Sequence, residues 1–260
     1  MTHPKILLRQ ASATIFAALL PCLGGHAQER CQAFNLETLP KREVRAVWLT
    51  TLSNLDWPKG YATTQEGIER QKRQLTEILD RYADANINTV LFQARVRATT
   101  TYPSALEPWD RCLTGQEGRA PGYDPLRFAI EECHKRGMEI HAWLATIPCG
   151  PWTSLGCRRL CAKGLRLRKL DGAGYLDPSD ERVAPYLASV CAELTEKYDI
   201  DGIHLDYIRY PDGWPRATRR NGDTPDNRRA NINRIVRAIH EAVEMRKPWV
   251  KVSASPLGKL

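Results

Sequence analysis

No stretch of the 260-residue sequence holds the roughly 20 consecutive apolar residues that a membrane-spanning helix needs. No Gly-x-Gly-x-x-Gly follows the first strand-like segment and no Walker-type loop is present, so nucleotide-binding folds lack their signature. The motifs of nucleic-acid readers are missing too, although the formal charge is +8. The cysteine spacings do not supply the two close ligand pairs of a structural zinc site. These absences exclude an integral membrane protein, an NTPase or dinucleotide enzyme, and a zinc module. No cofactor, no metal and no nucleic-acid partner is expected.

The first residues have their own pattern. Lys5 and Arg9 precede a short apolar run from Ala11 to Leu20, and Gly25-His26-Ala27 ends in a small residue suited to signal-peptidase cleavage. Pro21 before Cys22 disfavours a lipoprotein site. Residues 1–27 are expected to be a signal peptide, 28–40 a linker, and 41–260 a barrel domain in the periplasm, envelope or extracellular space. Losing Lys5 and Arg9 takes the charge from +8 to +6. The remainder, concentrated near 158–169 and 216–229, is expected to be a solvated surface that tolerates anionic polymers. Eight cysteines become seven without Cys22. Cys133 and Cys191 fall on apolar helix faces, while Cys112, Cys149, Cys157 and Cys161 lie in expected loops. Export permits disulfides, but four cysteines allow three pairings and the spacing chooses none.

Beyond the linker, β-type runs alternate with helical ones. Strands are expected at 44–50, 89–95, 139–146, 201–207 and 250–255. Helices are expected at 65–85, 124–136, 179–198 and 227–245. Leu75, Ile78, Leu79 and Tyr82 share one helical face. Asp124-Pro125 opens a helix that Gly137 ends. A long loop, 98–123, follows the second strand, and a basic Gly-rich loop the third. Alternating strands and helices imply an α/β fold with a parallel sheet. A 42 % hydrophobic chain of this length suits one core. The expectation is a (β/α)8 TIM-type barrel, present as about its first five βα units and hence truncated relative to the fold. Extra residues gather after strands, the side on which barrels place their sites.

Strand parity sorts lumen from helix-facing positions. Ile203 and Leu205 should face helices, leaving His204 and Asp206 inward. The same rule sends His141 and Trp143, Gln93 and Arg95, Trp48 and Thr50, and Ser253 and Ser255 inward. A structural lumen is filled with branched apolar residues, so this polar convergence signals a site. Glycoside hydrolysis needs two carboxyl groups, and Trp, Arg, Gln and His suit sugar rings and hydroxyls. Asp206 is the first catalytic candidate, against a structural ion pair to Arg209 or Arg95. Glu107, in the loop above the second strand, is the second. Substrate contacts are expected from Trp48, Gln93, Arg95, His141, Trp143, His204, Tyr207 and Arg209. Asp201 opens its strand at the barrel bottom and reads as a turn or cap residue.

Three segments carry a resemblance: residues 42–50, Arg-Glu-Val-Arg-Ala-Val-Trp-Leu-Thr; residues 102–109, continued by 122–126 and 134–143; and residues 201–211, Asp-Gly-Ile-His-Leu-Asp-Tyr-Ile-Arg-Tyr-Pro. Over about residues 41–258 they resemble the glycosyl-hydrolase-like family ten, envelope proteins with a TIM-type barrel. The resemblance implies hydrolysis of glycan strands, like that of enzymes cutting peptide-free peptidoglycan, and distantly of domains acting on exported poly-glucosamine. It implies a role for Asp206, the family's strand-four aspartate. The chain departs from the family at Leu144-Ala145-Thr146-Ile147-Pro148, where an Asn-Pro-Tyr-Arg-like run is common. The chitinase-type acid two residues past the last Asp is replaced by Ile208. Two other classes stay open: a metal-dependent hydrolase using His141, His204 and Asp206, and a non-catalytic glycan-binding module. The sequence sets no oligomeric state. Protein recovered from the envelope is expected to begin near Gln28, and N-terminal sequencing that finds an intact Met1 removes the export argument.

Overall fold

The computed structural model describes residues 43–216 and 223–255, nearly all within the compact unit Val44–Leu260. The leader, the linker, Cys22 and Cys31 lie outside the described residues. Five parallel strands pair in chain order: β1 (Ala46–Leu49), β2 (Thr89–Arg95), β3 (Glu139–Ala145), β7 (Gly202–Asp206) and β8 (Lys251–Ala254). These are the five expected strands: the second matches 89–95 at both ends, and the other four are shorter by one or more residues. Sequential parallel pairing through helical crossovers is the construction of a TIM-type barrel. No helix among the described residues is long and apolar enough to cross a membrane.

The helices begin where side chains can satisfy their free amides. Thr64 accepts from Gly67 N at the start of α1 (Gln65–Asp84), and Asp124 from Arg127 N at α3 (Pro125–Lys135). Thr224 accepts from Asn227 N at α6 (Pro225–Glu244). Each such cap stabilises its helix by about 1 kcal/mol. Gly137 ends α3 at φ 68, a conformation open to glycine at no steric cost. Leu75 and Leu79 of α1 are buried, with Ile78 and Tyr82 packed against the same core. The helix expected from 179 begins only at Val183 as α5 (Val183–Lys197), because Asp177 and Asp180 hold the preceding turn.

The basic loop after β3 folds where no structure was expected. It contains α4 (Leu155–Ala162) and a three-stranded antiparallel sheet in the order β4 (Pro148–Pro151), β6 (Ala173–Leu176), β5 (Leu167–Leu170). Asp171 and Gly172, both at positive φ, make the β5–β6 turn. An Asp-Gly pair between short alternating runs is a strong hairpin signal; the Arg and Lys density of β5 masked it. The loop after β2 likewise contains a one-turn helix, α2 (Arg111–Thr114), capped by Asp110.

The six described cysteines are all free thiols, and none of the four expected in loops lies in one: Cys112 is in α2, Cys149 in β4, and Cys157 and Cys161 in α4. Of the four expected in loops, Cys149 and Cys157 are in contact: a hydrogen bond between their side chains lowers the Cys157 pKa to about 7.

One strand breaks the parity rule. The β2–β3 register pairs Gln93 with Trp143 but Arg95 with Leu144, so a bulge at Ala94 turns Arg95 over to the helix-facing layer. The Arg95 side chain is fully buried there, with Nε and Nη2 each 2.8 Å from a carboxylate oxygen of Glu107. Its Nη1 donates to the carbonyls of Ala145 and Thr146. Tyr186 of α5 donates to Glu107 Oε1 at 2.8 Å. Burial works against the Arg95 charge, but the charge and hydrogen bonds of Glu107 outweigh it and raise its pKa. Arg95 and Glu107, expected as a substrate contact and a catalytic acid, are instead a sealed structural pair.

Removing one partner of such a pair leaves an uncompensated buried charge, a loss of about 3–5 kcal/mol. Glu107→Gln is therefore expected to lower the urea and thermal unfolding midpoints sharply. Arg95→Met combined with Glu107→Leu should recover much of that loss, since both charges leave together. An unchanged midpoint in the single variant would show that the pair does not hold the loop.

Candidate active site

Laterally paired residues of a parallel sheet face the same way, so the register sorts the lumen into layers. The lowest contains Trp48, Leu91, His141, Gly202 and Lys251. Above it lie Gln93, Trp143, His204 and Ser253, then Ala145 and Asp206. Parity thus holds for β3, β7 and β8, and for Gln93 ahead of the bulge.

The bottom layer is bound to itself. Lys251 Nζ is 2.6 Å from Glu139, and His141 Nε2 lies 3.3 Å from the same carboxylate. The Lys251 hydrogen bond holds Glu139 below the usual carboxylate range. The His141 ring stands over Gly202, where an added Cβ would come within 2.6 Å of Nδ1. Asp201 caps this end, accepting from Ile140 N at 2.8 Å, as a turn residue at the barrel bottom should. His141 therefore sits at the stability end of the barrel rather than beside Asp206. Its lateral partner Gly202 is four residues before Asp206, about 13 Å at the usual strand rise. The trio His141, His204 and Asp206 does not converge, and no group of three or more metal-ligating side chains occurs among the described residues.

The middle layer is polar and satisfied. Gln93 Oε1 accepts from Thr50 Oγ1 at 2.7 Å and from the backbone amides of Thr51 and Leu52, tying the loop after β1 to β2. Gln93 is a brace for that loop, with its acceptor already used. His204 lies between two hydroxyls, Nδ1 at 2.9 Å from Ser253 Oγ and Nε2 at 2.7 Å from Ser255 Oγ. Serine hydroxyls donate or accept, so they serve a neutral imidazole on both sides. The Trp48 ring packs edge-on against His204 at 5.7 Å. Burial lowers the His204 pKa, against the opposing charge of Asp206.

Asp206 ends β7 and is partly open to solvent. Its Oδ2 accepts the Trp143 indole N–H at 3.0 Å, and its Oδ1 the backbone N–H of Tyr207 at 2.7 Å. Neither expected cation reaches it. Arg95 is held by Glu107, and Arg209 pairs with Asp212 at 3.2 Å while lying over the Tyr207 ring. Tyr207 has φ 51, a strained backbone setting for a non-glycine residue and one that clusters at functional sites. Asp206 is thus a carboxylate at the C-terminal end of a barrel strand, oriented by neutral donors. It can attack, or exchange a proton with, a group placed above the strand ends.

The profile of the glycosyl hydrolase-like 10 family matches residues 43–260. The chain belongs to this family. It is 31 % identical over 245 residues to "Glycosyl hydrolase YngK" of Bacillus subtilis, covering 84 % of this chain and 45 % of that one. It is 29 % identical over 243 residues to "Glycosyl hydrolase DigH" of Escherichia coli, covering 83 % and 55 %. The chain spans about half the length of the curated relatives it matches. Among solved structures, the alpha-L-fucosidase isoenzyme 2 of Paenibacillus thiaminolyticus superposes with a TM-score of 0.50 at 18 % identity, over 82 % of this chain and 32 % of that one. That likeness concerns the fold, a TIM-type barrel shared with glycosidases.

The His204 environment gives a pH dependence with a definite sign. Its folded pKa lies below the ordinary 6.5, so the unfolded chain binds the proton more readily. The stabilisation is full above pH 6.5 and is lost as pH falls toward the folded value. The thermal midpoint is expected to drop between pH 7.5 and 5.5, and His204→Gln to reduce that drop. His141, whose pKa burial also lowers, accounts for part of the remainder.

Proposed function

We propose that this protein is an exported glycoside hydrolase acting on an envelope or extracellular polysaccharide, peptidoglycan glycan strands above all, with Asp206 as its essential carboxylate. The observation that carries the proposal is Asp206 itself: partly open to solvent, at the functional end of the barrel, held by an indole N–H, and paired with no cation among the described residues. Family membership and fold support glycosidase chemistry. The leader-like pattern of residues 1–27 supports export, and the basic surface suits an anionic envelope polymer.

Cleavage of a glycosidic bond passes through a transition state with positive charge on the sugar ring. A carboxylate held at the strand end by an indole N–H and a backbone amide can stabilise or attack that centre. The indole bond selects one oxygen for orientation and leaves lone pairs for the substrate. Trp143, partly exposed beside the carboxylate, offers a ring face to a sugar. The sealing of the Glu107 side chain against Arg95 argues for a different residue as the second carboxyl that hydrolysis requires.

In the protein as the cell makes it, Asp206→Asn is expected to lower kcat by about 100-fold or more while leaving sugar binding and folding largely unchanged. An activated aryl glycoside separates the two roles. If Asp206 is the proton donor, a good leaving group restores turnover; if it is the nucleophile, turnover stays low. Unchanged polymer cleavage in this variant would sink the assignment. Wild-type protein that binds glycan but never cuts it would be a binding module.

A further inference from the structure

The insertion between β3 and α5 carries three of the six described cysteines, and two of them meet. Cys149 is the second residue of β4, and Cys157 lies in the first turn of α4. Ser154 links their backbones. Its Oγ accepts from Cys157 N at 3.2 Å and donates to the Cys149 carbonyl at 3.3 Å. The reversal sets Cys157 Sγ 3.2 Å from that same carbonyl oxygen, and the two side chains are hydrogen-bonded to each other. Both residues are buried, Cys149 at 0 % and Cys157 at 1 % exposure. Gly174 of β6 closes over the pair, and a Cβ there would come within 2.5 Å of Cys157 Sγ. A bare glycine backbone thus leaves the sulfur its space.

The other cysteines are placed differently. Cys112 is buried in α2, with side-chain hydrogen bonds to Asp110 and Thr51. Cys161 lies one turn further along α4 and is exposed. Of the pairings open to the sequence, the fold brings together Cys149 and Cys157. The two thiols also differ in acidity. Burial raises Cys149 well above its ordinary value, whereas the hydrogen bond from Cys149 holds Cys157 down at about 7. Cys157 is the one poised as a thiolate, the form that attacks a disulfide.

We propose that Cys149 and Cys157 are joined by a disulfide bond in the exported protein, stapling β4 to α4. The proposal rests on the export reading only for its oxidant, a small-molecule or protein disulfide. The Cys157 thiolate attacks one sulfur of that disulfide and expels the other as a thiolate, leaving a mixed disulfide. Cys149, losing its proton to solvent, then attacks the Cys157 sulfur and expels the second thiolate. Two protein thiols are oxidised, and the external disulfide is reduced to two thiols. Because β6 covers the sulfur, the exchange takes place as the insertion folds, before Gly174 seats. The bond closes a ring of nine residues, 149–157, that borders a cleft of about 730 Å3 on the open face of the barrel. The same ring supports the loop after β2. Glu117 accepts the Leu155 and Gly156 amides at 2.8 and 3.1 Å, and a Cβ on Gly156 would come within 2.5 Å of the Ala98 carbonyl oxygen. Closing the ring therefore fixes one wall of the cleft and restricts the unfolded chain.

Trypsin supplies the test, since Cys149 and Cys157 share the peptide 137–158 while Cys161 falls on 160–163. Protein recovered from cells is labelled with a maleimide in denaturant without reductant, digested and weighed. Peptide 137–158 is expected unlabelled and two hydrogens lighter than its dithiol in about 90 % or more of molecules, with Cys161 labelled. Reductant is expected to lower the thermal midpoint by about 5 °C, and to leave that of a Cys149→Ala, Cys157→Ala protein unmoved. If this variant does not fold, the peptide masses and the wild-type shift decide. A doubly labelled peptide calls for refolding the same protein in a mixture of reduced and oxidised glutathione. Ring closure there would support the pairing and overturn export instead. Two labels after refolding, or a link from either cysteine to a third, would overturn the staple and leave the glycosidase proposal standing. A closed ring whose reduction leaves the midpoint unchanged would overturn its part in holding the insertion.

Discussion

A guanidinium without access to water stays charged only if a carboxylate and carbonyls surround it, and Arg95 meets that condition in one arrangement. Glu107 must come down from the loop after β2, the end of β3 must present its last carbonyls, and α5 must bring Tyr186 against the carboxylate. Three segments far apart in the chain are fixed together by that requirement. Glu193 of α5 reinforces the arrangement, accepting from Ala105 N and Ser104 Oγ. Replacing the charges by apolar groups would relieve the desolvation penalty, so the pair is better understood as specifying the loop's position than as adding net stability. The loop so positioned carries Arg97 and Asp110 to the open face of the barrel.

The lumen separates stability from chemistry along its axis. At the bottom, Lys251, Glu139, His141 and Asp201 bond to one another and to backbone amides, leaving little for a ligand. At the top, Asp206 is held by neutral donors and stays open. His204 stands between, buried and satisfied by two serine hydroxyls from the neighbouring strand. Barrels commonly divide in this way because strand C-termini feed the long, variable loops and N-termini the short ones. Here the insertion between β3 and α5, with α4 and its own small sheet, adds a wall to the open face.

The alternation of apolar and polar residues determined most of the architecture, because strand and helix periodicities are local and act on each segment alone. Five strands, the capped helices, and the inward positions of Trp143, His204 and Asp206 follow from that pattern. Asp171-Gly172 was legible as well, but a short strand dense in Arg and Lys hides its alternation. The tertiary structure alone decided the fate of Arg95 and Glu107. A bulge reverses parity without any mark in the strand that contains it, since it depends on how β2 pairs with β3. Likewise, which cysteines meet depends on how the folded chain turns α4 back onto β4. That separates Cys149 and Cys157 from Cys112 and Cys161, although all four are the same residue in one stretch of sequence.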